Sequence, residues 1–279
     1  MFGSTITFTR AAAGAVLLTA TMASTAEALP QFTFSPSAAG LNGPDVTADN
    51  LVISNFSTIV LTPDGKGGAT FTDTGVLPVV QYQLGDSPIP GATSGLNSSY
   101  GLYFGFDGTG VQNTPTFTSG TSGTFTTLNF TMFGYNVVGP PAGVTYASTK
   151  APPTNSANLV ALATGTLIGG GVGATLVPID PNNPLNQVAV PNANTLLTFS
   201  PTAAGQSFFV DPNPFYQAVF SAFTNNPSQI TSTANGFVIT QGGGSANFLA
   251  NPTQTPEPAT MALMGVGLLG LGFLRRRAA

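Results

Sequence analysis

Carboxylates are the only side chains in the central part of this chain that could serve acid–base chemistry or metal binding. The sequence contains no His and no Cys. It therefore offers no imidazole as a general base or metal ligand, and no thiolate for nucleophilic attack, metal binding or disulfides. Eight aspartates remain between the two ends of the chain: Asp45, Asp49, Asp64, Asp73, Asp86, Asp107, Asp180 and Asp211.

The positions of these aspartates favour turns over a reacting centre. Asp64 and Asp107 precede Gly, and Asp180 and Asp211 precede Pro, as is typical of turns in which Asp bonds the local backbone. A hydrolase acting on sugars would need two carboxylates that face each other. Calcium stays open as an alternative, although no Asp-x-Asp-x-Asp-Gly loop is present and distant loops would have to assemble its site. We predict no catalytic residue, no metal site and no cofactor.

Two glycine-rich segments have a glycine spacing similar to that of nucleotide-binding loops. Gly265, Gly267 and Gly270 have the dinucleotide-binding spacing, but they lie in an apolar segment at the end of the chain with no preceding strand. Residues 169–174 follow a run that resembles a strand, yet no periodic helix follows them. We interpret that second segment as a flexible loop or a bulged strand.

Aromatic residues near position 100 provide the other candidate site. In the alternating run, Phe104 and Phe106 fall on one face and are predicted to be core. Tyr100 and Tyr103 are left as surface rings that could stack on a sugar.

The elements that must position these residues are short strands. Apolar residues alternate with polar or small ones, as in half-buried strands, and dipeptides that favour φ > 0 separate the runs. We predict one antiparallel all-β domain over residues 29–251, arranged as a β-sandwich or jelly roll. The clearest alternating faces are Leu102, Phe104, Phe106 and Leu128, Phe130, Met132; the clearest turn signals are Asn42-Gly43, Asp64-Gly65, Asp107-Gly108 and Asn235-Gly236. Residues 213–223 fit a helix or a strand, and we favour the strand.

The charge of the central domain argues against nucleic-acid binding. Lys66 and Lys150 are its only basic residues, and with the eight aspartates they give a net charge of −6. A nucleic-acid-binding protein needs a basic surface that displaces counterions.

The N-terminus, residues 1–28, has the pattern of a cleavable signal peptide. Arg10 precedes a short apolar stretch, residues 11–23, and Ala26 and Ala28 form the small-x-small cleavage pattern before Leu29. A helix buried in the mature fold is the alternative.

The C-terminus, residues 252–279, has three parts. A Pro256-Glu257-Pro258 motif precedes an apolar segment, residues 259–274. Sixteen helical residues would reach ~24 Å, somewhat short of the ~30 Å hydrocarbon core, which suits a temporary transmembrane anchor. The chain then closes on a basic cluster that we expect to remain cytoplasmic: Arg275, Arg276 and Arg277.

This three-part tail resembles the PEP-CTERM sorting signal of Gram-negative bacteria. The resemblance implies that a membrane enzyme, exosortase, recognises and removes the tail. It also implies release or transfer of the protein to the cell surface or extracellular matrix, in a setting of exopolysaccharide production and biofilm.

The central region also resembles flocculation-associated PEP-CTERM proteins, although other members often carry cysteines that this chain lacks. Three segments carry the resemblance: Tyr100-Gly101-Leu102-Tyr103, residues 161–165 and residues 207–216. We therefore expect a non-enzymatic surface or matrix protein acting in flocculation or biofilm, with self-association through exposed strand edges. An exopolysaccharide-binding module is the alternative.

Overall fold

The alternating runs of the sequence form long, strongly paired strands. The structure is a computed structural model that describes residues 29–118, 120–140, 144–180, 183–225 and 227–249. Its strands are β1 (Phe32–Phe34), β2 (Val46–Ala48), β3 (Asn50–Pro63), β4 (Ala69–Leu84), β5 (Ser87–Ile89), β6 (Tyr100–Gln112), β7 (Ser122–Val137), β8 (Ser156–Asp180), β9 (Asn183–Thr198), β10 (Ser200–Pro201), β11 (Phe209–Asp211), β12 (Ala218–Thr224), β13 (Ile230–Thr233) and β14 (Gly236–Leu249). Two short helices, α1 (Gly91–Ser94) and α2 (Ala203–Phe208), and two 3-10 turns, Ser37–Ala39 and Pro227–Gln229, lie between them.

Eight of these strands close into an antiparallel barrel. Going round the ring the order is β3, β4, β6, β7, β8, β9, β12 and β14, and β14 pairs with β3 to complete it. Each long strand therefore neighbours the next long strand along the chain, which is an up-and-down arrangement. The all-β, antiparallel prediction is confirmed. The predicted sandwich or jelly roll is not, because one ring of strands replaces two facing sheets.

Bulges and close backbone contacts give the strands the curvature that closure requires. Register shifts interrupt the β3–β4, β6–β7 and β7–β8 ladders, and such bulges bend a strand and increase its twist. At Gly75 a Cβ atom would lie 2.2 Å from the carbonyl oxygen of Phe56. Only glycine permits β3 and β4 to approach so closely there.

The inward faces of the strands fill the barrel with apolar side chains. Both alternating faces predicted as core are buried: Leu102, Phe104, Phe106, Leu128, Phe130 and Met132. An eight-stranded barrel is just wide enough for its side chains to fill, or to hold one small ligand.

An aromatic cap closes the barrel end where β3 begins and β14 ends. A three-stranded sheet, ordered β11-β1-β2, carries Phe34 into contact with Phe208 and Phe209 at centroid distances of 4.7 and 5.3 Å. Phe199 and Phe248 continue the cluster into the barrel, 4.9 Å apart. Each buried Phe contributes roughly 1.5–3 kcal/mol, so this cluster stabilises the barrel end that it covers.

A second, smaller cluster lies on the outer wall. Val76, Tyr103 and Tyr135 are buried there under the segment that follows β7. The hydroxyls of Tyr135 and Tyr146 are 2.6 Å apart, and Thr58 donates a hydrogen bond of 2.9 Å to the carbonyl of Ser148. One part of the barrel wall is thus covered on both faces.

Two of the four predicted turns join neighbouring strands, and the other two do not. Asp64-Gly65 joins β3 to β4, and Asn235-Gly236 joins β13 to β14, as predicted. Asp107-Gly108 lies within β6, so its prediction as a turn is wrong. Asn42-Gly43 lies in the irregular segment before β2 rather than in a hairpin.

The two ambiguous segments are both strands. Residues 218–224 form β12, which confirms the favoured strand for the second half of the segment; residues 213–217 lie outside any strand. Residues 169–174 lie in β8 beside a register shift between Leu167 and Gly169, so the bulged-strand interpretation is confirmed.

No helix within the described ranges is long and apolar enough to cross a membrane. The predicted signal peptide, residues 1–28, and the predicted tail, residues 252–279 with its transmembrane segment, lie outside the described residues. Both stay predictions as far as the structure is concerned.

A buried tyrosine pair provides a test of how two neighbouring strands of the barrel, β4 and β6, are held together in the core. The hydroxyls of Tyr82 and Tyr100 are 2.9 Å apart in the core, and burial raises the pKa of Tyr100 to about 12. Tyr100→Phe would leave the Tyr82 hydroxyl buried without its partner, at a cost of ~1–3 kcal/mol. In urea unfolding, we expect the double variant Y82F/Y100F to lose less stability than the sum of its two single variants.

Tyr216→Phe is the matched control, since its hydroxyl donates to the carbonyl of Gln31 at an exposed position. Tyr216→Phe should lose less stability in urea unfolding than Y100F does. Strict additivity of Y82F and Y100F would contradict a coupled buried pair.

Candidate functional site in the barrel interior

The two tyrosines predicted as carbohydrate contacts are not on the surface. Tyr100 is 0% exposed and Tyr103 is 1% exposed, so neither ring can stack on a sugar, and this prediction is wrong. Tyr100 belongs to the same core cluster as Phe104 and pairs there with Tyr82. Tyr103 does point outward, but Tyr146 and the rest of the covering segment enclose it.

Several of the aspartates have structural roles. Asp64 accepts hydrogen bonds from the backbone N–H groups of Lys66 and Gly68, as predicted for a turn. Asp49 accepts from the N–H of Gly85 at 2.7 Å, which fixes the β4–β5 turn. Asp107 forms an ion pair with Lys150 on the outer wall. Within the described part of the chain, no three carboxylates are grouped as a metal site would require.

Asp73 is the aspartate that lines the interior of the barrel. It lies in the middle of β4, and its side chain lines a cavity inside the barrel together with Phe71 and Leu77. Burial raises the pKa of the Asp73 carboxyl from its ordinary value of 3.8 to about 7, and the hydroxyl of Ser57 on β3 limits that rise. Neither Asp73 Oδ1 nor Ser57 Oγ makes a hydrogen bond of normal geometry with the described residues.

The cavity itself has a volume of about 90 Å³ and is mainly lined by aromatic and aliphatic side chains. Several polar residues interrupt this lining: Asn55, Asp73, Gln112, Asn192, Thr195, Ser221 and Asn225. Some of their polar atoms are paired within the wall. The hydroxyls of Thr195 and Ser221 are 2.8 Å apart, and the Gln112 amide donates to the carbonyl of Thr114 at 2.8 Å.

Three buried oxygen atoms at this cavity have no partner among the described residues: Asn55 Oδ1, Asp73 Oδ1 and Asn225 Oδ1. The Asn225 amide nitrogen donates to the carbonyl of Pro191 at 2.8 Å, which sets the direction of its oxygen. Asn225 Oδ1 and the Cβ of Asn55 would both crowd a Cβ at Gly242, at 2.0 and 2.8 Å. These two asparagines are therefore close neighbours, and glycine makes room for them.

The cavity wall combines one carboxylate with several amide and hydroxyl groups. Asp73 is the single carboxylate on the cavity wall, whereas glycoside hydrolysis uses two. Sequence reasoning did not single out Asp73, although a signal was present: it lies two residues from Phe71 in an alternating run and so shares its inward face. Asn55 and Asn225 gave no comparable signal, since only the closed ring brings β3 and the end of β12 together.

The outer wall carries hydroxyl groups in place of charges. Thr109 lies within 2.9 Å of both Thr126 and Thr127 across the β6–β7 ladder. Thr166 and Thr198 form a similar pair at 3.2 Å between β8 and β9. Asp107 and Lys150 form the ion pair found within the described ranges.

Comparison with protein families identifies the C-terminal tail. Residues 254–277 match the PEP-CTERM protein-sorting motif. The match covers the predicted Pro256-Glu257-Pro258 motif and the arginine cluster, and it confirms the predicted sorting signal. The resemblance of the central region to flocculation-associated proteins is not confirmed. Comparisons with curated proteins and with solved structures found no match.

Asp73 predicts an unusual dependence of stability on pH. Below pH 3.8 the carboxyl is neutral in both the folded and the unfolded chain; as the pH rises, the unfolded chain loses the proton first. The free energy of unfolding should therefore fall between pH 3.8 and about 7 and then level off. A tenfold change in proton affinity is worth ~1.4 kcal/mol, so the expected fall is a few kcal/mol.

Urea unfolding of the wild type and of Asp73→Asn across this pH range provides the measurement. D73N should abolish most of the fall and be more stable than the wild type at pH 8. Asp107→Asn removes a carboxylate from the outer wall, so its free energy of unfolding should still decrease over this pH range. An identical decline in D73N would show that Asp73 is not its source.

Proposed function

We propose that this exported, exosortase-targeted surface protein is a non-enzymatic component of the extracellular matrix of a Gram-negative bacterium, acting in flocculation or biofilm formation. The observation that carries the proposal is the PEP-CTERM protein-sorting motif over residues 254–277. It marks the chain for export, for anchoring in the membrane by its C-terminus and then for processing by exosortase.

The order of the segments supports a released or surface-held barrel. The predicted signal peptide ends near Ala28, and the sorting motif begins at residue 254. Between these two segments lie the described strands of the barrel. Cleavage at both ends would leave this domain without either apolar segment, as a secreted matrix component requires.

The character of the barrel surface also supports a matrix role. Only 6% of all residues are charged, and the outer wall presents paired threonine hydroxyls. Hydroxyl groups can exchange hydrogen bonds with water and with sugar polymers, and they are not screened by salt as charges are. Such a surface keeps its properties when ionic strength changes outside the cell.

Self-association through long strand edges has less support than the sequence suggested. Closure of the barrel pairs both edges of its long strands over most of their length. The exception is the end of the β8–β9 hairpin, where β8 beyond Gly173 and β9 before Asn192 pair only with each other. The other free edges among the described strands belong to short strands, such as β2 and β13. The exopolysaccharide-binding alternative also loses its two proposed contacts, because Tyr100 and Tyr103 are buried.

Processing can be tested by intact-mass analysis of the protein from its native host. We expect a product that begins near Leu29 and ends near Pro256, because leader and tail are removed. The same gene in a host without exosortase should yield a product that retains the tail. Retention of the tail in both hosts would contradict release by exosortase.

The matrix role can be tested by deleting the gene and measuring floc size and biofilm mass. Both should fall, and the wild-type gene should restore them. A variant with Pro256, Glu257 and Pro258 changed to Ala should fail to restore them, because it is not sorted. Thr253→Ala, just outside the matched motif, is the control and should behave as wild type. Normal flocs and biofilm in the deletion strain would overturn the matrix role.

A further inference from the structure

The β8–β9 hairpin continues past the two strands that flank it. The pairing of β8 with β7 ends at Gly173, and the pairing of β9 with β12 ends at Asn192. Beyond these residues β8 and β9 still pair with each other, and we call this part, residues 174–180 and 183–191, the arm. Its strands extend the hairpin by ~20 Å, at ~3.3 Å per residue. Within the described part of the chain, each strand of the arm therefore has one edge without a partner strand.

An unpaired strand edge fits one kind of partner. Its backbone N–H and C=O groups point sideways at a regular spacing, and another extended strand offers complementary groups at the same spacing. Proteins that avoid such pairing protect the edge with prolines, charged residues or bulges. The residues along each edge of the arm therefore decide which edge is available.

The two edges of the arm differ in this protection. On β8, Pro178 removes a backbone donor and Asp180 adds a charge. On β9, Pro184 lies near the tip and Pro191 lies at the base, and the six residues between them include no proline and no charged residue. Uncharged, proline-free segments of this length are typical of strands that pair with other chains. The β9 edge is therefore the unprotected one.

The base of the β9 edge is already occupied. The Asn225 amide donates a hydrogen bond of 2.8 Å to the carbonyl of Pro191, just beyond the last residue that pairs with β12. Val190 is 1% exposed, so the arm is packed against the barrel at this point. The available part of the edge is residues 185–189, and Gln187 is at its centre.

Charge selects a second copy of this chain as the partner. Eight aspartates and two lysines give the central domain a net charge of −6, so two copies repel each other and can associate only where the contact lacks charge. The available β9 segment meets that condition. Every copy also presents the same edge, and two identical antiparallel segments pair naturally about a two-fold axis.

We propose that two copies of this protein associate through the β9 edges of their arms, in antiparallel pairing centred on Gln187. Leu185 of each copy then lies opposite Ala189 of the other, and Gln187 lies opposite Gln187. The arms form one four-stranded sheet in the order β8-β9-β9-β8, with the proline-bearing β8 edges outermost. The assembly is therefore a closed dimer and not a fibre. The interface does not involve the sorting tail, so the proposal stands apart from the matrix role.

The first test is sedimentation velocity on the protein released from its native host, at ~1–100 μM, a range that covers weak association. We expect the mass to rise from monomer to dimer with concentration and to rise no further. Gln187→Lys places two like charges directly opposite each other. It should raise the dimer dissociation constant at least about tenfold. Gln187→Glu should have the same effect.

A mixture of the two variants and a control locate the interface. Equal amounts of Q187K and Q187E should form a mixed dimer, because opposite charges then face each other, and this recovery would also show that both variants are folded. Thr175→Lys adds the same charge to β8, away from the proposed contact, and should dimerise like the wild type.

Three results would overturn the proposal. The first is a wild type that remains a monomer up to ~100 μM. The second is unchanged dimerisation of Q187K and Q187E, or no recovery when they are mixed. The third is loss of the dimer in T175K, which would show that the β8 edge is the contact.

Discussion

The pairing of β14 with β3 joins the last long strand of the barrel to the first, and the other features of the domain depend on it. This ladder runs from Gly236–Val60 to Ala246–Leu51 and links segments from opposite ends of the domain. Once the ring is closed, all eight strands share one interior and their edges are paired over most of their length. No disulfide can hold this contact in a chain without Cys, so packing of the interior and of the aromatic cap must do so.

The barrel interior combines close apolar packing with a few polar side chains that lack hydrogen-bond partners. Phenylalanines occupy most of it, yet Asn55, Asp73 and Asn225 place unpartnered oxygens around a cavity of about 90 Å³. An all-apolar lining of the same shape would be more stable, because each buried unpaired polar group is unfavourable. Departures from packing rules of this kind are expected where a protein has a function to perform. The polar side of the barrel interior is therefore its most informative feature.

The C-terminal tail and the central barrel have separate roles. The sorting motif over residues 254–277 specifies a destination, while the barrel supplies a body whose outer wall carries paired hydroxyl groups and few charges. Low charge gives such a body little dependence on salt. Asp73, unlike Asp107, has its side chain inside the barrel, where its proton affinity affects folding and leaves the character of the outer wall unchanged.

The sequence by itself determined the features that depend on local pattern. Alternation placed Leu102, Phe104 and Phe106 on one buried face, turn chemistry identified Asp64-Gly65, and the tail motif identified the sorting signal, because each depends on neighbouring residues only. The tertiary structure alone decided whether the strands form a sandwich or a ring, since both have the same alternation. It also decided that Tyr103 is buried, because a distant segment covers the outer wall, and that Asn55 and Asn225 meet, because closure brings their strands together.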